Sequence, residues 1–261
     1  MFTDIHCHLL PGIDDGAADL AASLQMAEMA VGDGISTIVV TPHQLGNFAG
    51  NRGDDIRRRV TELQQQLDLR QIPLRILPGA DVRIEDQMLD QLAAGDVLTL
   101  ADRGRHVLLE LPHEVYFPLE GLLERMHRRR LTGILSHPER NGGLLKRPEL
   151  IPPLVDQGCL MQITASSLMG VFGRECQRMC EWMLGQQVVH FVATDAHSPR
   201  SRRPLLRRAF ERVGELAGEK TARLLCCDYP ALVAEGQHVP AGRVAAGGRT
   251  WRSLFPRRKA A

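Results

Sequence analysis

The chain has 261 residues, of which 44% are hydrophobic and 24% charged, and its formal net charge is +1. This length is too great for a small module and fits one barrel-sized domain or two small ones. No apolar run is long enough to span a bilayer, and the N-terminus lacks the basic start and apolar stretch of a signal peptide. We therefore expect a cytoplasmic globular protein.

Short apolar runs rich in β-forming residues alternate with helical patterns along the chain. In chain order the seven runs are FTDI, STIVVT, LRILPG, HVLLEL, GILS, LMQIT and VVHFVAT. Apolar spacing of three and four residues predicts helices over 20–31, 54–69, 119–131, 148–157 and 174–187. Pro148 and Pro204 suit first-turn positions of helices. Alternating units predict an α/β fold with a parallel sheet covered by helices, and seven runs favour closure into a barrel.

The chain divides into a body and a basic tail. No linker splits residues 1–237, which we interpret as one domain. Residues 238–261 carry six of the 32 basic residues and no acids, which leaves 26 basic against 31 acidic residues in the body. We expect most of this tail to be disordered. Trp251, Leu254 and Phe255 could make a peripheral membrane contact, and a purely solubilising tail is the alternative.

Six of the seven predicted strands end in residue types that bind metal ions. In parallel βα barrels the carboxyl ends of the strands surround the active site. This places one set of candidate ligands around a single mouth: His6, His8, Asp15, His43, Asp81, Glu110, His137, Asp195 and His197. Taken singly, each of these histidines is better explained as a packed or surface residue. The coincidence of nine such residues at matching strand ends favours a metal site.

The spacing within the motifs supports this interpretation. Residues i and i+2 of a strand point the same way, so His6 and His8 can bind one ion together, and Asp195 shares parity with His197 in the same manner. Mixed imidazole and carboxylate ligands suit Zn, Mn or Fe. Asp15 has an alternative role, because Asp14-Asp15-Gly16 could equally form a turn and helix cap.

The remaining histidines and the cysteines are assigned structural roles. His113 alone stays open, because it follows Glu110 by three residues; the other histidines outside the set are His106, His127, His190 and His238. The six cysteines form no pair of C-x-x-C units, and none is followed six positions later by arginine. The thiol-phosphatase loop C-x5-R is therefore absent. We expect Cys7 to point into the packing and Asp4 to support the site from below.

Several motifs together resemble one known family. DIHCHLLPGIDDG, TPH, LLELP, SHPERN, QITASSLMGVFG and ATDAH occur in order from Met1 to about Leu232. They resemble the bacterial metal-dependent protein-tyrosine phosphatases of the PHP (polymerase and histidinol phosphatase) superfamily, which are associated with capsule and exopolysaccharide synthesis. The resemblance implies a distorted (β/α)7 TIM-like barrel and three divalent metal ions, usually manganese, with iron or zinc as alternatives.

The resemblance also implies how the ligands divide among the ions. His6, His8 and Asp195 would hold one ion, Glu110 and His137 a second, and Asp15, His43 and His197 the third. The acid that bridges the first two ions would be Asp81, where the family usually has glutamate. Aspartate is one methylene shorter, so either a small backbone shift keeps the bridge or the metal affinity falls.

The expected chemistry is phosphomonoester hydrolysis. Water beside divalent ions loses its proton near neutral pH and can attack phosphorus in line, while cations neutralise the phosphoryl oxygens. Arg140 and Arg202 match arginines that the family uses for phosphate binding or catalysis, and Arg200 and Arg203 are neighbours that could take this role. The alternative for Arg202 is a solvated basic loop.

Three functions compete. The first is a phosphatase for a phosphotyrosine protein, expected to be the tyrosine-rich tail of a bacterial tyrosine kinase at the inner face of the membrane. The second is another PHP phosphoesterase, such as histidinol-phosphate phosphatase. The third is a non-catalytic regulator that binds the kinase. SHPERN and SLMGVFG favour the first, and we expect no nucleic-acid partner.

Overall fold

The structure is a computed structural model that describes residues 1–244. The predicted membrane contact through Trp251, Leu254 and Phe255 therefore lies outside the described residues. Within residues 1–244, none of the helices combines the length and apolar character that crossing a bilayer requires.

Each of the seven apolar runs forms a strand, and two short strands are added where the chain bends after β2 and β4. The described strands are β1 (Phe2–Cys7), β2 (Ile35–Val40), β3 (His43–Gln44), β4 (Arg75–Pro78), β5 (Asp81–Arg83), β6 (His106–Glu110), β7 (Thr132–Ser136), β8 (Leu160–Thr164) and β9 (Phe191–Ala193). The added strands β3 and β5 follow a proline and a Gly-Ala pair, which interrupt the longer runs. Both carry candidate ligands.

All neighbouring strands pair in parallel, as the alternating pattern predicted. One sheet has the order β1-β2-β4, and the other has the order β3-β5-β6-β7-β8-β9. The ends of β1 and β9 join the two sheets: the backbone N–H of His8 donates to the Ala196 carbonyl at 2.8 Å, and that of Asp195 donates to the His6 carbonyl at 2.7 Å. These bonds bring the first and last ligand motifs of the chain together.

Helices follow most of the strands. The α-helices are α1 (Leu20–Asp33), α2 (Gly53–Leu69), α3 (Met88–Ala94), α4 (Glu120–Arg128), α5 (Gly142–Lys146), α6 (Ile151–Asp156), α7 (Ala165–Leu168), α8 (Arg174–Gly185), α9 (Arg207–Ala217), α10 (Glu219–Arg223) and α11 (Tyr229–Ala234). The expectation for Pro148 is confirmed, because it begins a 3-10 turn before α6. The expectation for Pro204 is wrong: α9 begins later, where Asp33 accepts from the N–H groups of Leu206 and Arg207.

The core has two apolar layers. The larger layer lies between strands and helices, and the smaller layer contains inward residues of successive strands, among them Leu108, Ile134 and Phe191. Leu108 and Glu110 share the inward face of β6, since they are two residues apart. Strands β1, β2, β6, β7, β8 and β9 each contribute an apolar side chain to this smaller layer. The candidate ligands lie at or beyond the carboxyl ends of most of these strands, so the candidate site lies directly above the smaller layer.

Candidate metal centre

All nine predicted ligands lie at the carboxyl ends of strands or in the loops that follow them. His43 and Asp81 begin the short strands β3 and β5, which follow the carboxyl ends of β2 and β4, and Glu110 ends β6. His137 directly follows β7, and Asp195 and His197 follow β9. Asp15, in the loop after β1, is the most exposed member, with 58% of its side chain accessible. The structure thus brings residues separated by up to 191 positions to one mouth.

The first contacts involve the two histidines at the end of β1. Their Nε2 atoms converge to 3.3 Å, as expected for neighbours two residues apart. His6 Nε2 lies 3.2 Å from Asp195 Oδ1 and 3.5 Å from Asp81 Oδ2. Burial alone would lower the pKa of His6, but the two carboxylates outweigh it and raise this pKa to about 9. Burial and the neighbouring His197 lower the pKa of His8 to about 4.

A second group faces Asp15. Asp15 Oδ1 lies 3.4 Å from His43 Nε2 and 3.5 Å from His197 Nε2. With His8, these residues offer four donor atoms within 4.8 Å of one another. The hydrogen bonds from the two histidines hold the pKa of Asp15 well below its usual range. Asp15 therefore faces the cluster, although its neighbour Asp14 takes a different role.

Asp81 occupies the centre of the cluster and provides a test of whether these residues suit a cation. It is fully buried, and neither carboxylate oxygen has a hydrogen-bond partner within residues 1–244. A buried carboxylate without donors is costly unless a positive charge compensates it. His43 Nδ1 lies 3.5 Å from Asp81 and 3.6 Å from Glu110, and burial followed by repulsion from Asp81 raises the pKa of Glu110 to about 7. The carboxylate oxygens and imidazole nitrogens of this group are ligand atoms that fit divalent ions.

His137 joins a different group from the one that the resemblance implied. Its donor atom clusters with those of His6 and Asp195, whereas Glu110 clusters with His43 and Asp81. His137 has φ 32° and Asp195 has φ 50°, a left-handed conformation that is uncommon for residues with side chains. Such strain occurs where a side chain must be aimed at a site.

Two arginines meet the cluster at Asp195. Arg140 Nη1 and Arg202 Nη2 both donate to Asp195 Oδ2, while Oδ1 of the same carboxylate faces the histidines. The solvated-loop alternative for Arg202 is therefore not supported. Arg200 and Arg203 are exposed, and among the described residues no bond connects their side chains with the cluster. Asp195 links the candidate ligands to two fixed positive charges.

Comparison with known proteins identifies the family. The family model described as capsular polysaccharide synthesis, CpsB/CapC, matches residues 2–235. The chain belongs to the CpsB/CapC family. The tyrosine-protein phosphatase YwqE of Bacillus subtilis (strain 168) is 37% identical over 201 residues, which are 76% of this chain and 78% of that protein. The tyrosine-protein phosphatase CpsB of Streptococcus pneumoniae is 27% identical over 233 residues, 87% and 96% of the two chains.

Solved structures agree with this membership. One from a study of YwqE from Bacillus subtilis and CpsB from Streptococcus pneumoniae, described there as unique metal-dependent tyrosine phosphatases, superposes with a TM-score of 0.89 at 32% identity. The superposition covers 95% of the present chain and 100% of the solved one. The lactonase Lmo2620 of Listeria monocytogenes, at 14% identity and a TM-score of 0.54 over 88% of this chain and 93% of that one, shares the fold alone. The family resemblance drawn from the motifs is thus confirmed.

The CpsB/CapC site has supporting residues that the sequence alone did not reveal. Asp14 Oδ2 lies 2.7 Å from His8 Nδ1, and Gln162 Oε1 lies 2.8 Å from His6 Nδ1. With Nδ1 as the donor in each bond, the opposite Nε2 of each ring is free to bind a cation. Asp4 accepts from the backbone and hydroxyl of Thr194, next to Asp195, as expected for a residue below the site. The signal for Asp14 was its place in the acid pair.

The other histidines lie outside the ligand groups found in residues 1–244. His106 and His190 are buried at the amino ends of β6 and β9, opposite the mouth. His127 and His238 are exposed. His113 lies at the rim, with its ring centroid 5.8 Å from that of His137. It is adjacent to the centre without joining a group of donors.

Proposed function

We propose that the chain is a metal-dependent phosphatase that hydrolyses phosphotyrosine in a protein substrate. The observation that carries this proposal is the position of Asp195, which contacts the ligand histidines through one oxygen and two arginines through the other. A phosphoryl group with several negative oxygens suits a space bounded by cations on both sides. The names of the Bacillus and Streptococcus relatives support phosphotyrosine as the reacting group.

We further propose three divalent ions, manganese first and iron or zinc as alternatives. All nine predicted ligands would hold these ions, and they are shared among the four donor groups that the structure brings together. The four overlapping donor groups and the unpartnered Asp81 oxygens support a centre with several cations. When bound, such ions lower the pKa of water and neutralise phosphoryl oxygens.

The chain's own residues would bind and orient the substrate. Arg140 and Arg202 would donate to the phosphoryl oxygens, since guanidinium groups match such oxygens in geometry and charge. Gln162 and Asp14 would keep the rings of His6 and His8 in the ligating orientation. The leaving phenolate has an ordinary pKa of about 10, so it needs less protonation than an alkoxide.

A cavity beside the cluster supports an aromatic substrate. It has a volume of about 210 Å³ and is lined in part by His43, Phe48, Arg83 and Glu110. The Phe48 ring stacks on His43 with centroids 5.2 Å apart and an interplanar angle of 22°. An aromatic face next to a ligand histidine suits the ring of a tyrosine side chain.

A thiol mechanism has no support among the cysteines. Cys7, the cysteine nearest the ligands in sequence, is fully buried in the larger apolar layer. Burial raises the pKa of its thiol well above the ordinary value, which disfavours the nucleophilic thiolate.

The physiological substrate that we propose is a bacterial tyrosine kinase of capsule or exopolysaccharide synthesis, in keeping with the family's description. The kinase would present its phosphorylated tail at the inner face of the membrane. The tail of the present chain, 238–261, would increase contact with that membrane. Deleting 240–261 should then reduce both vesicle binding and kinase dephosphorylation; an unchanged result in both assays removes this role for the tail.

The function is tested by elemental analysis combined with three substrates: a phosphotyrosine peptide, p-nitrophenyl phosphate and histidinol phosphate, each with and without chelator. We expect metal-dependent turnover that prefers the peptide to histidinol phosphate. Arg140→Gln should lose most activity, and Arg178→Gln, on the exposed side of α8, serves as its matched control. Full activity after metal removal overturns the mechanism. Preference for histidinol phosphate supports the second function, and a metal-loaded protein without turnover supports the regulator.

A further inference from the structure

An aromatic ring lies against both arginines of the candidate centre. The Phe172 ring centroid is 4.5 Å from Arg140 Cζ and 5.9 Å from Arg202 Cζ. Both distances are within the range of a cation–π contact, in which the negative face of a ring attracts a cation. The ring and the Asp195 carboxylate are thus shared partners of the same two guanidinium groups.

The loop between α7 and α8 presents this ring. Gly170 and Gly173 flank the Val171-Phe172 pair with φ of 82° and 91°, conformations that glycine adopts readily. The N–H of Val171 donates to the Ser166 carbonyl at 2.9 Å, which fixes the loop to α7. Val171 points to solvent with 65% of its surface exposed, whereas Phe172 is half-buried. The two neighbours therefore have separate environments.

The arginines need a second partner because one carboxylate oxygen does not fix them. Both guanidinium groups converge on Asp195 Oδ2, so two like charges lie close together. Arg202 Nε is buried and has no hydrogen-bond partner within residues 1–244. Asp195 thus holds each group at one end, and the ring provides the other contact that limits their rotation.

We propose that Phe172 is a positioning residue that holds Arg140 and Arg202 in the orientation required to bind the phosphoryl group. This inference rests on the proposed phosphatase function, in which the two arginines bind phosphoryl oxygens. Phe172 acts through the guanidinium groups: its ring restricts them before the substrate arrives, so less freedom is lost on binding.

The test measures phosphate affinity apart from turnover. In the metal-loaded full chain, Phe172→Leu removes the ring and keeps an apolar side chain, and Phe172→Tyr retains the ring. We expect Phe172→Leu to weaken binding of inorganic phosphate, measured by calorimetry, by roughly tenfold, the size of a partly desolvated cation–π contact. The KM for a phosphotyrosine peptide should rise, metal content should stay unchanged, and Phe172→Tyr should behave like the parent chain. Val171→Ala in the same loop is the control.

A double-mutant cycle separates positioning from a structural role. In an Arg140→Gln background the nearer guanidinium is absent, so Phe172→Leu should weaken phosphate binding by only about twofold. A full tenfold effect in that background, or unchanged phosphate affinity in the single variant, overturns the proposal. Calorimetry with phosphate needs no turnover, so a chain that binds phosphate and fails to cleave phosphotyrosine refutes the proposed function while the role of Phe172 is still measured.

Discussion

Replacing Asp81 by asparagine should strongly weaken metal binding while leaving the fold intact. The side chain is fully buried, and its carboxylate oxygens lack hydrogen-bond partners within the described chain. Asp81 Oδ2 lies 3.5 Å from both His6 Nε2 and His43 Nδ1. Asparagine has nearly the same shape, so the change removes one charge from the middle of the cluster and creates no cavity.

The magnitude follows from these distances. At an effective dielectric constant of about 20, two unit charges 3.5 Å apart interact by about 5 kcal/mol. The attraction between a divalent ion and this carboxylate is at least as large. In the Asp81→Asn variant the amide oxygen can still bind the ion, which recovers part of this energy. Because 1.4 kcal/mol corresponds to a factor of ten, we expect manganese affinity to fall by roughly a hundredfold to a thousandfold.

The assay is metal content at fixed free manganese, together with turnover of a phosphotyrosine peptide. Two controls isolate the charge. Asp81→Glu keeps a carboxylate at this position, and Asp90→Asn makes the same chemical change on the surface, where the side chain is 80% exposed. We expect both to bind manganese within about tenfold of the parent chain. Asp81→Asn with unaltered manganese affinity would refute the reasoning that this carboxylate holds the ions.

Three further predictions concern the support of the site and the core. Asp14→Asn should reduce metal affinity by about tenfold to a hundredfold, since the carboxylate holds the His8 ring from behind; elemental analysis at limiting manganese checks this. Burial lowers the pKa of His190 to about 4, so its stabilising contribution is present above pH 6.5 and is lost as pH falls towards 4. Between pH 7 and pH 5 the unfolding free energy in urea should fall by ~2 kcal/mol more for the parent chain than for His190→Gln, in which other buried groups such as His106 still titrate. Phe191→Ala should cost about 3–5 kcal/mol in unfolding free energy, against no measurable change for Leu69→Ala, which is 76% exposed.

The sequence predicted the strands and the residues that would meet at their ends. Alternation within a strand is a local property, so the same-face pairing of His6 and His8 could be read directly from their spacing. The same rule puts Glu110 on the face of β6 that carries Leu108. The parallel order of strands could be anticipated as well, because each helical segment allows the chain to return to the starting edge of the sheet.

Other features could not be predicted from spacing. Pro204 precedes α9 by more than one residue, because Asp33 on another helix supplies the cap. Asp14 and Asp15 are adjacent and chemically alike, yet the turn that follows β1 aims one at His8 and the other at His43. Loop conformation, which depends on contacts far away in sequence, decides between two such neighbours.

What the sequence by itself determined is the chemical inventory: nine ligand-type residues, at the ends of strands, facing one mouth. What only the tertiary structure decided is which of them share a space. The ligand atom of His137 is grouped with those of His6 and Asp195, and that of Glu110 with those of His43 and Asp81. Asp195 contacts histidines through one carboxylate oxygen and arginines through the other. The direction of a side chain is fixed by its own strand, whereas distances across the mouth depend on the register and curvature of the entire sheet. Those are set by long-range pairing that no short motif contains.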